Sequence, residues 1–97
     1  MSWQSKGSEQ LFQAILALRT PEEAASFLRD LLTESEIRDL SDRWLAVRML
    51  DRGETYAAII AATGLSSRTI ARIAKWLRSG LGGYRLMLDR QKRATRQ

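Results

Sequence analysis

Residues 55–79 read TYAAIIAATGLSSRTIARIAKWLRS, and this stretch decides the fold class. Thr55 supplies a side-chain oxygen to cap a helix over Tyr56 to Thr63, and Gly64 ends it in a turn that calls for positive φ. Leu65 follows as an apolar plug for the angle between two helices, and a second helix starts at Ser66. Ile70, six positions after the glycine, anchors that helix to the first, from which Ile59 points the same way. At about 100° per residue, Ser67, Arg68, Ala71, Arg72, Lys75, Arg78 and Ser79 fall within an arc of roughly 140°. Thr69, Ile70, Ile73, Ala74, Trp76 and Leu77 fill the other side. The pattern is a helix-turn-helix whose second helix has one apolar and one cationic face. Ile60 occupies a place where such units usually carry alanine, which predicts a wider crossing of the two helices.

Charge is divided unevenly around this unit. Residues 1–54 carry 7 Lys/Arg and 10 Asp/Glu, whereas residues 55–97 carry 9 Lys/Arg and only Asp89 on the acidic side. With no carboxylate between Thr55 and Leu88, the cationic face has the layout that phosphates attract. Small residues at the start of the second helix (Ser66, Ser67 and Ala71) allow close approach to base edges. Arg68 and Arg72 are long enough to donate two hydrogen bonds to guanine.

Composition excludes several other chemistries. The 97 residues contain neither cysteine nor histidine. Disulfide scaffolds, thiolate catalysis, imidazole bases and ordinary zinc sites are therefore ruled out, and no metal or cofactor is expected. The carboxylates are scattered over polar faces without a convergent pair, so the chain does not read as an enzyme. The apolar run 11–18, LFQAILAL, is too short to span a bilayer and has no clear basic lead. No membrane partner is expected, and the expected location is cytoplasmic, with the nucleoid.

Helical spacing extends outward from the central unit, giving an all-α single domain over residues 1–97. A first helix is expected from about Glu9, capped by Ser8, to Arg19, with Leu11, Phe12, Ile15, Leu16 and Leu18 apolar. Thr20, Pro21 and Glu23 form a helix start with a capping box, ahead of Ala24, Phe27, Leu28 and Leu31. Thr33 and Glu36 form a second box that opens the longest helix, to about Arg52, with Ile37, Leu40, Trp44 and Val47 on one stripe. Leu45 and Met49 lie beside that stripe, and Gly53 is placed to end the helix. Leu81-Gly82-Gly83 reads as a flexible break, with Tyr84–Leu88 as a short turn or helix. The ends, residues 1–7 and 91–97, read as disordered. The apolar residues Leu11, Phe12, Ile15, Leu16, Leu45 and Met49 exceed what one small core covers, so residues 9–54 are expected to form a dimer interface.

The order of these pieces resembles the Trp repressor superfamily, and is similar in particular to the YerC/YecD-type Trp-repressor-like proteins. The resemblance rests on Leu32-Thr33 through Arg43, Arg52-Gly53-Glu54, Thr55-Tyr56, Thr63-Gly64, Thr69-Ile70-Ala71-Arg72 and Gly83-Tyr84. It implies a six-helix fold in an intertwined homodimer. Two recognition helices would then enter successive major grooves of double-stranded DNA at an inverted repeat, with repression of transcription as the outcome. It also implies candidate effector contacts at Arg43 and Arg72, which match the two arginines that hold tryptophan in the repressor. Ile73 stands in place of the neighbouring glycine and Trp76 in place of a serine. Tryptophan is therefore not expected as effector, and the identity of any effector stays open.

The DNA-binding residues expected on this reading are Thr55, Ser66, Ser67, Arg68, Thr69, Ala71, Arg72, Lys75 and Arg78. A protein-interaction or RNA-associated adaptor, using the same basic face for another acidic partner, is the alternative.

Overall fold

The computed structural model describes residues 2–95. Among them are six helices and no strand: α1 (Lys6–Leu16), α2 (Pro21–Leu31), α3 (Glu34–Asp51), α4 (Tyr56–Thr63), α5 (Ser67–Ser79) and α6 (Gly83–Thr95). They fall into two compact units divided after Ile37, so the division lies inside α3. No helix among the described residues is long and apolar enough to cross a membrane.

Hydroxyl caps start most of the helices. In the first unit, the Ser8 N–H donates to Ser5 Oγ and the Ser5 N–H donates to Ser8 Oγ, a reciprocal box that starts α1. The helix therefore begins three residues before the Glu9 start expected from the sequence, and takes in Lys6 and Gly7, which had read as disordered. A serine does at position N3 what glutamate or glutamine usually does. The C-terminal end also comes early, at Leu16, because the chain must turn extended at Thr20 to cap α2. There the Glu23 N–H donates to Thr20 Oγ1 at 3.1 Å, while the Glu23 carboxylate accepts from the Arg19 N–H. Its return bond lands one residue before the cap. The box at α3 is strictly reciprocal, and the Thr33 N–H on its carboxylate holds the Glu36 carboxyl below its ordinary range.

Trp3 meets Phe12 edge-on with ring centroids 6.0 Å apart. No residue of α1 or α2 is buried, and Phe12, Ile15, Leu16 and Leu31 are exposed.

The second unit holds the core. Ala46, Val47 and Met49 of α3, Ile59 of α4, Ile70 and Ile73 of α5 and Leu88 of α6 form one buried cluster. Trp44, Leu45, Leu50, Leu65 and Tyr84 pack around it. Each fully buried isoleucine contributes about 1.5–3 kcal/mol relative to exposure. Met49 is inside this core, so it does not belong to a surplus awaiting a partner, contrary to the sequence expectation; Leu45 packs against the core and is half-buried.

At its C-terminal end α3 closes with a Schellman turn. The Gly53 N–H donates to the Leu50 carbonyl and the Glu54 N–H to the Met49 carbonyl, with Gly53 at φ +80°. Past α5, a Cβ on Gly80 would stand 2.5 Å from the Trp76 carbonyl oxygen, so this link needs glycine for close approach rather than for flexibility. The last helix runs far beyond the expected Tyr84–Leu88, through Thr95. Residues 91–95 are thus helical rather than disordered, because Leu88 is buried and Lys92 is held by Asp51. Met1, Arg96 and Gln97, expected within disordered ends, lie outside the described residues.

Candidate nucleic-acid interface

The turn between α4 and α5 is built by three adjacent residues. The Thr63 hydroxyl donates to the Ile59 carbonyl at 2.7 Å and accepts from the Leu65 N–H at 3.1 Å. Gly64 caps α4 in the left-handed conformation, φ +76°. Leu65 packs against the core, as the plug of the interhelical angle. Ile59 and Ile70 join in that core, whereas Ile60 is exposed, so the expected widening of the crossing by Ile60 does not arise from a side chain wedged between the helices.

Thr55 and Ser66 serve as N-caps. Thr55 Oγ1 accepts from the Ala58 N–H at 3.1 Å. Ser66 Oγ accepts from the Thr69 N–H at 3.1 Å and donates to Thr69 Oγ1 at 3.0 Å. These hydroxyls aim the starts of α4 and α5, and Thr69 is half-buried. Ser66 and Thr69 thus spend their side chains on each other. Ser67, Arg68, Ala71, Arg72, Lys75 and Arg78 are exposed. Opposite them Ile70, Ile73 and Ala74 are buried and Leu77 is half-buried, the division expected from the spacing. Trp76 departs from it and is exposed.

The electrostatics sort the cations into two groups. Arg29 pairs with Glu34, Arg52 with Glu54, and Arg85 and Lys92 with Asp51. Among the described residues, no ion pair engages Arg68, Arg72, Lys75 or Arg78. Four cations without an ion pair thus share the exposed face of α5, where a row of phosphates can neutralise them.

Beside this face lies an open apolar groove of about 840 Å3, walled by Trp44, Trp76, Leu81, Tyr84 and Met87 and reached by Lys75. The Trp44 and Tyr84 rings are 6.3 Å apart and tilted by 43°. Arg43 and Arg72, the effector contacts expected by resemblance, are both exposed and do not line it. Ile73 lies in the core, so only Trp76 of the two expected substitutions stands at the groove. Neither this groove nor the Asp51 ion pairs were foreseen from the sequence. An aspartate as the last residue of a helix, against the helix dipole, is the signal that could have revealed the latter. No group of three or more carboxylates is placed to hold a metal ion among the described residues.

The family model of the Trp repressor protein matches residues 6–92. The chain belongs to the Trp repressor family. It is similar to YerC, an uncharacterised protein of Bacillus subtilis, with 42% identity over 87 residues, covering 90% of this chain and 84% of that one. A Staphylococcus aureus protein crystallised as a candidate Trp repressor superposes with a TM-score of 0.85 at 38% identity, over 92% of this chain and 89% of the other. A TrpR-like protein of Eubacterium eligens gives 0.86 at 39% identity, over 92% of each chain. The family is one of DNA-binding regulators rather than enzymes, and the α4–α5 pair is its helix-turn-helix.

Proposed function

We propose that this Trp repressor family member is a homodimeric transcriptional repressor that reads an inverted repeat in double-stranded DNA. One observation carries the reading: four exposed cations without acidic partners lie along one face of the second helix of a helix-turn-helix. Arg68 and Arg72 reach base edges in the major groove, with Ser67 and Ala71 allowing the approach. Lys75 and Arg78 hold phosphates, joined by Thr55 at the start of α4, while Ser66 and Thr69 set the pitch of the N-terminal turn of α5. Self-association is supported by the exposed Phe12, Ile15, Leu16 and Leu31 on helices that bury nothing of their own. The protein acts at the nucleoid, in the cytoplasm.

Selection of bound duplexes from a random pool, followed by an electrophoretic shift with the selected and scrambled sequences, tests this directly. An enriched palindrome supports it. Equal binding to RNA, scrambled duplex and acidic polymers would favour an adaptor instead. Free tryptophan is not the effector, because the indole of Trp76 occupies volume where the related site has a serine, and overpacking costs about 1–3 kcal/mol. Titration calorimetry should show no heat of tryptophan binding at micromolar concentrations; a saturating isotherm there would overturn the point.

A further inference from the structure

Asp51 is the last residue of α3, and its side chain is only 11% exposed. A carboxylate at this end of a helix meets the negative pole of the dipole, and burial adds a desolvation cost. Local preference therefore disfavours aspartate here, and two cations of α6 compensate it. Asp51 Oδ1 lies 3.1 Å from Arg85 Nη2 and Oδ2 lies 2.7 Å from Lys92 Nζ, while Arg85 also reaches Asp89 at 3.6 Å. Arg85 and Lys92 stand two turns apart on one face of α6, with the buried Leu88 between them. One carboxylate thus grips α6 on both sides of its core anchor and resists both sliding and rolling of that helix.

The position of this grip matters for α5. Asp51 lies just before the Gly53 turn that leads into α4, and α5 packs against both α4 and α6. The reading helix is tied to α4 through Gly64 and to α6 through the close-packed Gly80 link. Asp51 closes this circuit by fastening α6 back to the α3–α4 junction. We infer that Asp51 is a positioning residue for DNA recognition, and that with Arg85 and Lys92 it sets the pitch of α5 in the major groove. The inference rests on the proposed DNA-reading function. It assigns Lys92 to the scaffold, not to phosphate contacts.

The test compares the parent protein with Asp51→Asn, Lys92→Gln and Lys92→Arg. Affinities for the duplex selected by the parent and for random duplex are measured at several salt concentrations, at a temperature where circular dichroism shows every compared variant folded. Asp51→Asn and Lys92→Gln should each lower affinity for the selected duplex about tenfold. Affinity for random duplex should not fall, the salt slope for Lys92→Gln should match the parent, and Lys92→Arg should keep the parent's preference. If Lys92→Gln weakens both duplexes equally and flattens the salt slope by about 0.9, Lys92 is a phosphate contact and the inference fails. It fails also if folded Asp51→Asn and Lys92→Gln retain the full preference. Should Asp51→Asn not fold, Lys92→Gln, which keeps the Arg85 pair, decides alone. A parent protein with no preference for any duplex would sink the DNA reading itself, and the positioning role with it.

Discussion

Gly64 and Asp51 show two ways in which a single residue holds the second unit together. Around Gly64 there is open space, with nothing within 4 Å of where a Cβ would stand, so its necessity is purely conformational. Gly64→Val forces a β-branched side chain to φ near +76° and should cost about 1–3 kcal/mol. Gly64→Asn should cost much less, since asparagine tolerates that region. Urea melts of the two variants check this, and equal midpoints for valine and glycine would show that the turn does not need the left-handed conformation.

Asp51 acts through charge. The Lys92 contact chiefly, with that of Arg85, holds its carboxyl below the ordinary range despite burial. A carboxyl lowered in the native state adds stability that is complete above its unfolded pKa of about 3.9 and is lost as pH falls through the lower native value. The gap in urea midpoint between the parent and Asp51→Asn should therefore be constant at neutral pH and narrow below about pH 4. A gap that persists unchanged in acid would mean that the ion pairs contribute no net stability.

At the scale of elements, α5 and α6 use basic residues in two ways. Helix α5 carries cations with no ion pair among the described residues, whereas Arg85 and Lys92 of α6 pair with Asp51. Arg68 sits in the first turn of α5, behind the Ser66 cap, the part of the helix that the proposed function places at base edges. Arg68→Ala should cost about 1–3 kcal/mol on the selected duplex and relax the preference at one base pair in each half-site. Competition with a set of single-base variants of that duplex measures this. Equal loss on selected and random duplexes would make Arg68 a phosphate clamp and move the reading face elsewhere on α5.

For the whole molecule, the distribution of buried side chains sets the expectation for assembly. The second unit closes its own core around Ile59, Ile70 and Ile73, while α1 and α2 display apolar residues and bury none. Chains of this size bury too little surface to leave such faces in water without cost, so the protein should be a dimer. Light scattering at micromolar concentration should give about twice the 11.0 kDa chain mass. A stable particle of 11.0 kDa would instead mean that these faces remain uncovered.

Features confined to one helical turn were readable in the amino-acid sequence, because their chemistry is complete within three or four residues. The caps at Thr20, Thr33 and Thr55, the glycine ends at Gly53 and Gly64 and the buried and exposed faces of α5 all follow from such local spacing. Where a local rule had an unusual member, as with Ser8 at the third position of α1, the helix start was misplaced. The burial of Met49, the packing of Leu45, the length of α6 and the exposure of Trp76 depended on residues far away in the chain. An apolar side chain has the same periodicity whether its own fold or a second chain covers it. Asp51 and Lys92 likewise read as two unrelated surface charges until α3 and α6 lie side by side. Local bonding specified the helices and the cationic face of α5, because each is complete within a few turns; only tertiary packing decided that Asp51 meets Arg85 and Lys92, because those residues lie far apart in the chain.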